Sequence, residues 1–223
     1  MLAAAMLLPF ASQAQNLNES FDGTAWPPDE WTAVNVSGTV SWGRYTSNTR
    51  NSSAACASVD YASNGHENYL ITPQLAPVDG DTLTFYVSSQ SYSGTTLTIE
   101  VSTASTATSD FTTTLATYTS GSSGTIGTTS ISTYVEKKID LSAYAGQQIY
   151  VAFHVVDNNG GRINLEDVSG PAIVLPSCSK VTDLAIDATQ TTNNSLTLTW
   201  TDDRNSGATY SVYSVTPSGS TLV

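Results

Sequence analysis

TLTFYVSS, residues 82–89, alternates apolar and polar side chains with a period of two. Leu83, Phe85 and Val87 would point to one side of a strand, and the polar residues between them to the other. The same alternation returns in TTLTIEVST, residues 95–103, and in QIYVAFHVV, residues 148–156. Each of the three segments therefore predicts a strand with one buried face.

Short clusters of turn-forming residues separate the predicted strands. Examples are DGD at 79–81, SG at 93–94 and DNNGG at 157–161, all rich in residues that favour turns. We count roughly ten or eleven short strands between about residue 17 and residue 172, without a helical segment. This pattern predicts an all-β fold of two packed antiparallel sheets, a β-sandwich or jelly roll. We expect GSSGTIGTTS, residues 121–130, to be a mobile surface loop.

The charge balance of the chain is strongly acidic. Seven Lys and Arg stand against nineteen Asp and Glu among 223 residues, which gives a formal net charge of −12. Nucleic acids and anionic membrane surfaces are bound by clustered basic charge, so the composition excludes both as partners. Cations are the natural partners of such a chain.

The N-terminus has the features of a secretory signal. Residues 1–14 contain an apolar run too short to span a bilayer, followed by the small residues Ser12 and Ala14. We therefore predict a signal peptide at 1–14, a mature chain from Gln15, secretion, and no membrane span in the mature chain. Export permits a disulfide between Cys56 and Cys178, but nothing in the sequence brings them together, so we expect no bridge.

The C-terminal part has a different character. Residues 173–179 are predicted to be a linker, and residues 180–223 contain the strand LTLTW and the alternating strand YSVYSV. Their order resembles the first half of a fibronectin type III domain. A complete domain of that kind needs about 100 residues, so we expect a partial, truncated fibronectin type III-like sandwich here.

Six segments of residues 15–172 resemble one family when they are taken in order. They are NESFDG with WPPDEWTAVN (18–35), SWGRY (41–45), ACASVDY (55–61), ENYLITPQL (67–75), VEKKIDLSAYAGQQIYVAFHV (135–155) and INLEDVSG (163–170). Together they are similar to the cleaved-adhesin, or choice-of-anchor J, domains of Bacteroidetes secreted and surface proteins. The resemblance implies a jelly-roll sandwich, secretion, structural calcium and a role in adhesion, often beside fibronectin-like or peptidase domains.

The acidic residues of the first and last strands suggest a calcium site. Ca²⁺ takes about six to eight oxygen ligands from carboxylates and carbonyls, and the end strands of a jelly roll can be neighbours. Glu19 and Asp22 in the first strand, with Glu166 and Asp167 in the last, are the candidate metal ligands. The family resemblance favours Glu19 and Asp167 within this set.

The sequence contains no motif typical of an enzyme. It lacks H-E-x-x-H, G-x-S-x-G, C-x-x-C and a phosphate-binding Gly-rich loop. His154 should point away from the core, since Phe153 and Val155 point towards it, and we predict both His66 and His154 to be surface residues. Core packing explains Trp31 and Trp42 best.

These observations lead to two hypotheses about function. The first is a non-catalytic secreted or cell-surface adhesion module, stabilised by calcium, that binds a host or matrix protein or a glycan. The alternative is a carbohydrate-binding accessory domain of a larger secreted hydrolase, a peptidase or a glycosidase. In that case exposed aromatic residues would stack on sugar rings.

Overall fold

The computed structural model describes residues 15–174 and the backbone of four further strands, at 182–186, 198–201, 213–216 and 219–222. The predicted signal peptide at 1–14 lies outside the described residues, as do most of the predicted linker and Cys178. The described part of the chain contains no helix long and apolar enough to cross a membrane.

Twelve strands form the first unit of the chain. In chain order they are β1 (Asn16–Glu19), β2 (Thr32–Ser37), β3 (Gly43–Tyr45), β4 (Cys56–Val59), β5 (His66–Ile71), β6 (Leu75–Ala76), β7 (Thr82–Ser89), β8 (Thr95–Ser102), β9 (Thr113–Thr119), β10 (Val135–Asp140), β11 (Tyr150–Asp157) and β12 (Ile163–Ile173). Three single 3₁₀ turns, at Arg50–Ser52, Thr108–Asp110 and Ser142–Tyr144, interrupt the connections.

These strands form two antiparallel sheets. The first has the order β10-β7-β12-β4-β3, and β1 and β6 also pair with β12. The second has the order β2-β5-β11-β8-β9. The prediction of an all-β jelly-roll sandwich is confirmed.

The core lies between the two sheets, where the alternating residues meet. Leu83, Phe85 and Val87 of β7 are fully buried, as the period of two predicts. The ring of Phe85 meets that of Phe153 from β11 edge-on, with centroids 5.1 Å apart. Trp31 stacks against Phe153 at 6.4 Å, which confirms that this indole packs in the core. Trp42 is buried in the same cluster.

Five loops gather at one end of the sandwich. The register places Ser37 opposite Glu67 and Thr119 opposite Thr96 at this end, with Asp157 opposite Thr95. Each of the five loops crosses from one sheet to the other. We call residues 38–42, 60–65, 90–94, 120–134 and 158–162 the loop end of the domain.

The loop 120–134 differs from its prediction. The expected mobile surface loop at 121–130 carries Ile126, which is fully buried in the inter-sheet core. The Ile126 backbone N–H donates to the Thr119 carbonyl at 3.1 Å. Most of the loop is exposed, as expected, but the Ser/Thr/Gly composition around Ile126 did not reveal its single apolar anchor.

The C-terminal strands belong to a second compact unit. β13 (Thr182–Ile186) pairs with β14 (Leu198–Thr201), and β15 (Tyr213–Thr216) pairs with β16 (Gly219–Leu222). The fibronectin type III-like module at 180–223 therefore stays a prediction, since most of its residues lie outside those described.

Candidate functional site

The exposed apolar side chains of the domain are concentrated at the loop end. Among the described residues five large apolar side chains are exposed, and four of them lie in the end loops or on the strand residues beside them. These are Tyr92 at 64%, Tyr61 at 51%, Val36 at 47% and Val156 at 43%. The fifth, Val78 at 61%, lies at the opposite end. Four of the five exposed large apolar side chains therefore lie at one end of the domain, which makes that end the candidate contact surface.

A groove runs between three of these loops. Its volume is about 560 Å³, and loops 38–42, 60–65 and 158–162 form its walls with the adjoining strand ends. We call it the loop groove. Its lining includes the polar side chains of Ser37, Thr39, Ser63, Asn64, Glu67 and Asn158.

The buried carboxylate of Asp157 ties two of the end loops to the first residue of β8. Its Oδ1 accepts hydrogen bonds from the Thr95 hydroxyl at 2.8 Å and the Gly160 N–H at 2.9 Å. Its Oδ2 accepts from the Ala62 N–H at 2.9 Å. The Gly161 N–H donates in turn to the Thr95 Oγ1 at 2.8 Å. The sequence had marked Asp157 only as a turn residue, yet it organises the loop end.

His66 performs a similar structural role. It is buried, so the expectation of a surface histidine was wrong. Its Nδ1 lies 2.8 Å from the amide Nδ2 of Asn68, which can only donate, and its Nε2 lies 2.7 Å from the Asp60 carbonyl oxygen. The Asn68 amide also donates to the Val40 carbonyl at 2.9 Å, which joins loop 38–42 to the network.

Arg162 links the loops 60–65 and 90–94 and the end of β3 to this network. It forms an ion pair with Asp60, and its guanidinium lies 4.4 Å above the Tyr45 ring. Its backbone N–H donates to the Gln90 side chain at 3.0 Å. Burial alone would raise the pKa of Asp60, but the hydrogen bond and charge of Arg162 hold it below its ordinary value. The loops that flank the groove are thus fixed by buried polar contacts.

One glycine shows how closely these loops approach each other. Gly65 has a φ of +73°, and a Cβ at this position would lie 2.7 Å from the Asp157 carbonyl oxygen. Only glycine adopts this conformation readily while leaving space for the neighbouring backbone. The turn beside the groove therefore depends on Gly65.

His154 points away from the core, as predicted, but it is enclosed on the outer face of the second sheet. Its Nε2 lies 3.1 Å from Glu67 Oε1, and its Nδ1 lies 3.3 Å from Glu100 Oε1. The Tyr69 ring stacks on it at 4.0 Å. Burial, aided by the charges of Glu100 and Glu67, raises the pKa of Tyr69 to about 12. Both imidazole nitrogens are occupied, so His154 offers no open nitrogen to a substrate.

Two of the predicted calcium ligands lie near the start of the domain. Glu19 ends β1, and its Oε1 accepts from the Phe21 N–H at 2.5 Å. Asp22 Oδ1 accepts from the Ala54 N–H at 2.6 Å and the Ala55 N–H at 3.1 Å. Burial raises the pKa of Glu19, and the nearby charges of Asp22 and Asp29 raise it further.

The other two predicted ligands lie in β12 and contact Arg50. Glu166 is fully buried, and its oxygens accept from the Arg50 N–H at 2.7 Å and the Ser53 hydroxyl at 2.8 Å. Asp167 pairs with the Arg50 guanidinium at 2.5 Å. The same guanidinium lies 3.6 Å above the Tyr86 ring. The sequence had not indicated this role of Arg50.

The donor set at this place fits a cation only in part. Within residues 15–174, neither Glu19 nor Asp22 has an ion-pair partner, which suits a cation, whereas Arg50 already neutralises Asp167. Phe21, Ser52 and Asp167 have left-handed backbone conformations, with φ of 63°, 63° and 47°, and such strain is concentrated at functional sites. No group of three or more His, Cys, Asp or Glu is arranged to hold a metal ion in the described part of the chain.

Cys56 is buried on the outer side of the first sheet and forms no disulfide within the described residues. Burial raises its pKa to about 11. The thiolate is the reactive form of cysteine, so this side chain is not a competent nucleophile at neutral pH.

Comparisons with known proteins agree with this fold. Hemagglutinin A of Porphyromonas gingivalis is 32% identical over 175 residues, which cover 69% of this chain and 7% of that protein. The Hemagglutinin A of a second strain is 33% identical over 175 residues, again 69% of this chain and 8% of the relative. The chain thus spans less than a tenth of the length of these relatives.

Solved structures of similar fold include two domains of Lys-gingipain. The K1 cleaved adhesin domain from Porphyromonas gingivalis has a TM-score of 0.53 and 24% identity, covering 71% of this chain and 98% of that chain. The K2 domain has a TM-score of 0.54 and 22% identity, covering 70% and 99%. The model of the Cleaved Adhesin Domain family matches residues 14–169, most of the chain and nearly all of the sandwich, and the chain therefore belongs to the Cleaved Adhesin Domain family.

Proposed function

We propose that this chain is a non-catalytic, secreted or cell-surface adhesion module that contacts its partner through the loop end. The observation that carries the proposal is the gathering of Tyr61, Tyr92, Val36 and Val156 at this end, on loops that buried polar contacts hold in place. Exposed aromatic residues on fixed loops bind with little loss of conformational entropy. Kinship with Hemagglutinin A supports a role in adhesion.

The chemistry of the domain favours binding over catalysis. His66 and His154 are both engaged in contacts within the fold, and the Cys56 thiol is buried. A general base or nucleophile must be able to reach its substrate. The expected partner is a host or matrix protein or a glycan, and the net charge of −12 disfavours nucleic acid.

Calcium is the second part of the proposal. Glu19 and Asp22 would be its central ligands, because their charges have no cationic partner among the described residues. Glu19 also lines a cavity of about 520 Å³ with Asp29 and Glu30. Asp167 would bind the ion only when its ion pair with Arg50 is broken. The buried Glu166 would support the site through its hydrogen bonds to Arg50 and Ser53. Bound calcium would neutralise the acidic side chains there and stabilise the folded state.

The calcium proposal is tested by melting the whole chain in Ca²⁺ and in EDTA. A ligand bound only by the folded state stabilises it by RT ln(1 + [L]/Kd), which is about 4 kcal/mol for millimolar Ca²⁺ at a micromolar site. Glu19→Ala should abolish the difference, whereas Asp79→Ala, an exposed acid, should preserve it. Equal melting temperatures with and without Ca²⁺ would contradict the proposal.

The adhesion proposal is tested by passing the whole chain over immobilised matrix proteins and a glycan array. We expect saturable binding to at least one partner, without chemical change of that partner. Cleavage of a bound protein or glycan by the purified chain would show that it is an enzyme. Failure to bind any partner on either surface would refute an adhesive role.

The alternative, a carbohydrate-binding accessory domain of a larger secreted hydrolase, has one observation in its favour. The loop groove is lined by hydroxyl and amide side chains, and the residue that precedes the lining residue Ala62 is the exposed Tyr61; such groups suit sugars. Retention of defined glycans alone, with no protein partner, would favour this second function.

A further inference from the structure

We propose that the loop groove binds a neutral oligosaccharide. The inference rests on the adhesion module proposed above and adds the chemical class of the ligand and the residues that recognise it. It is carried by the lining of the groove, which includes Val156, by the exposed Tyr61 next to it in the chain, and by the buried contacts that fix its shape.

The lining of the groove consists mainly of uncharged hydrogen-bonding groups. Ser37, Thr39 and Ser63 offer hydroxyls, and Asn64 and Asn158 offer amides, all of them exposed. Each amide carries both donors and acceptors. A ligand rich in hydroxyls, each of which donates and accepts, matches this set better than a ligand with a formal charge.

The groove lacks the positive charge that would attract an anionic ligand. None of the described residues that line it is Lys or Arg, so phosphate, sulfate and acidic sugars lack a counter-charge. His66 and Asp157 are buried and engaged in the loop contacts. The remaining charge is the carboxylate of Glu67, which lies 3.1 Å from His154 and can accept hydrogen bonds from sugar hydroxyls.

Apolar side chains occur within the lining and next to it in the chain. Val156 lines the groove, and Tyr61 adjoins the lining residue Ala62 on the same loop. A pyranose ring has polar edges and apolar C–H faces, so it needs both kinds of surface in one place. The Tyr61 ring would cover an apolar face while the amides bind the hydroxyls.

The shape of the groove favours a small extended ligand over a folded protein. Its volume of about 560 Å³ lies in the range of roughly 300 to 1,000 Å³ that is usual for small-ligand sites. A stable protein interface covers about 800 Å² on each partner, whereas this groove is concave and confined between tight turns. The contacts of Asp157 and Asn68 fix its walls before binding, which lowers the entropic cost of recognition.

The test titrates the ¹⁵N-labelled whole chain with single oligosaccharides while its amide spectrum is recorded. The neutral probes are cellotetraose, xylotetraose, maltotetraose, mannotetraose and N-acetyllactosamine, and the charged probes are 3′-sialyllactose and trigalacturonic acid. At least one neutral probe should cause saturable shifts confined to 37–39, 62–67 and 156–158. The charged probes should cause weaker shifts or none.

Matched variants locate the site. Asn64→Ala and Asn158→Ala remove exposed amides without a hydrogen bond to the described part of the protein, and each should weaken binding by about tenfold. Gln148→Ala removes an exposed amide at the opposite end and should leave affinity within about twofold of wild type. The unbound spectra of all three should retain the wild-type dispersion, which shows that they fold.

The outcomes separate this inference from the adhesion proposal. Absence of saturable shifts with every neutral probe, preference for a charged probe, or shifts outside the groove would each overturn the glycan site. If the chain still binds a matrix protein in that case, the adhesion module stands and the groove assignment alone fails. If the chain binds neither sugars nor proteins, both proposals fall.

Discussion

At the scale of single residues, the loop end depends on a few buried polar groups rather than on apolar packing. Asp157 accepts hydrogen bonds from Thr95, Gly160 and Ala62, and an apolar side chain in its place would leave backbone donors unpaired. A buried donor that loses its partner costs more than the bond itself contributes. Asp157 thereby fixes the geometry of the groove that it helps to line.

Asp157→Ala should therefore destabilise the domain strongly. It leaves the backbone N–H groups of Ala62 and Gly160 without their acceptor, and we expect a loss of about 2 to 4 kcal/mol of unfolding free energy. Urea denaturation followed by Trp fluorescence measures the change. Asp79→Ala, at an exposed position of the opposite end, is the matched control and should change stability by less than about 0.5 kcal/mol.

Glu19 links stability to pH. Its pKa is raised by burial in the folded domain, so without calcium its contribution is present below the ordinary glutamate pKa and is lost as the pH rises through the raised value. Ca²⁺ binds the carboxylate form and competes with the proton. Stabilisation by Ca²⁺ should therefore be largest at neutral pH and shrink as the pH falls through the pKa of Glu19.

The measurement is a series of thermal melts with Ca²⁺ and with EDTA between pH 7.5 and 4. Glu19→Gln removes the titrating group, so its melting temperature should show no calcium-dependent change at any pH in the series. A calcium effect in wild type that persists unchanged to acidic pH would place the ion on ligands other than Glu19.

The roles of Asp157 and Arg50 could not be predicted from the sequence. DNNGG predicts a turn whether its first carboxylate faces solvent or the interior, and only the crossing of loops from two sheets buries it. His66 was misplaced in the same way, because its partners Asp60 and Asn68 lie on different sides of a turn. His154 was oriented correctly, since strand alternation alone decides which side it faces.

At the scale of elements, the alternation of apolar and polar residues predicted the central strands correctly. The three alternating segments became β7, β8 and β11, whose buried residues form the centre of the core. The period of two is a local property of the chain and can be read without knowing the partner strand. The anchor of the long connection 120–134 was not predicted, because one buried residue, Ile126, hardly changes the average composition of a segment rich in Ser, Thr and Gly.

Ile126→Ala should loosen this connection and lower stability. The fully buried side chain would leave a cavity in the inter-sheet core, for which a cost of about 2 to 5 kcal/mol is usual. Amide exchange in 120–134 should accelerate in the variant. Thr129→Ala changes an exposed residue of the same loop, and an equal effect there would mean that Ile126 does not anchor it.

At the scale of the whole molecule, the sandwich separates two kinds of chemistry. Acidic residues and strained turns surround Glu19 and Asp22 near the first strand, whereas uncharged polar groups and exposed aromatic rings occupy the loop end. The jelly-roll fold and its family could be predicted from ordered sequence segments. The contact surface could not, because it combines residues from loops that are far apart in the chain.

Whether the loop end is the contact surface is tested by comparing partner binding by the Tyr61→Ala/Tyr92→Ala double variant with binding by Val78→Ala. All three side chains are exposed, so none of the substitutions should disturb folding. If the loop end is the contact surface, the double variant loses at least about tenfold in affinity for the matrix protein or glycan that the wild-type chain retains, and Val78→Ala binds as wild type. Equal binding by the double variant and wild type, or a loss confined to Val78→Ala, would show that the contact surface is not at the loop end.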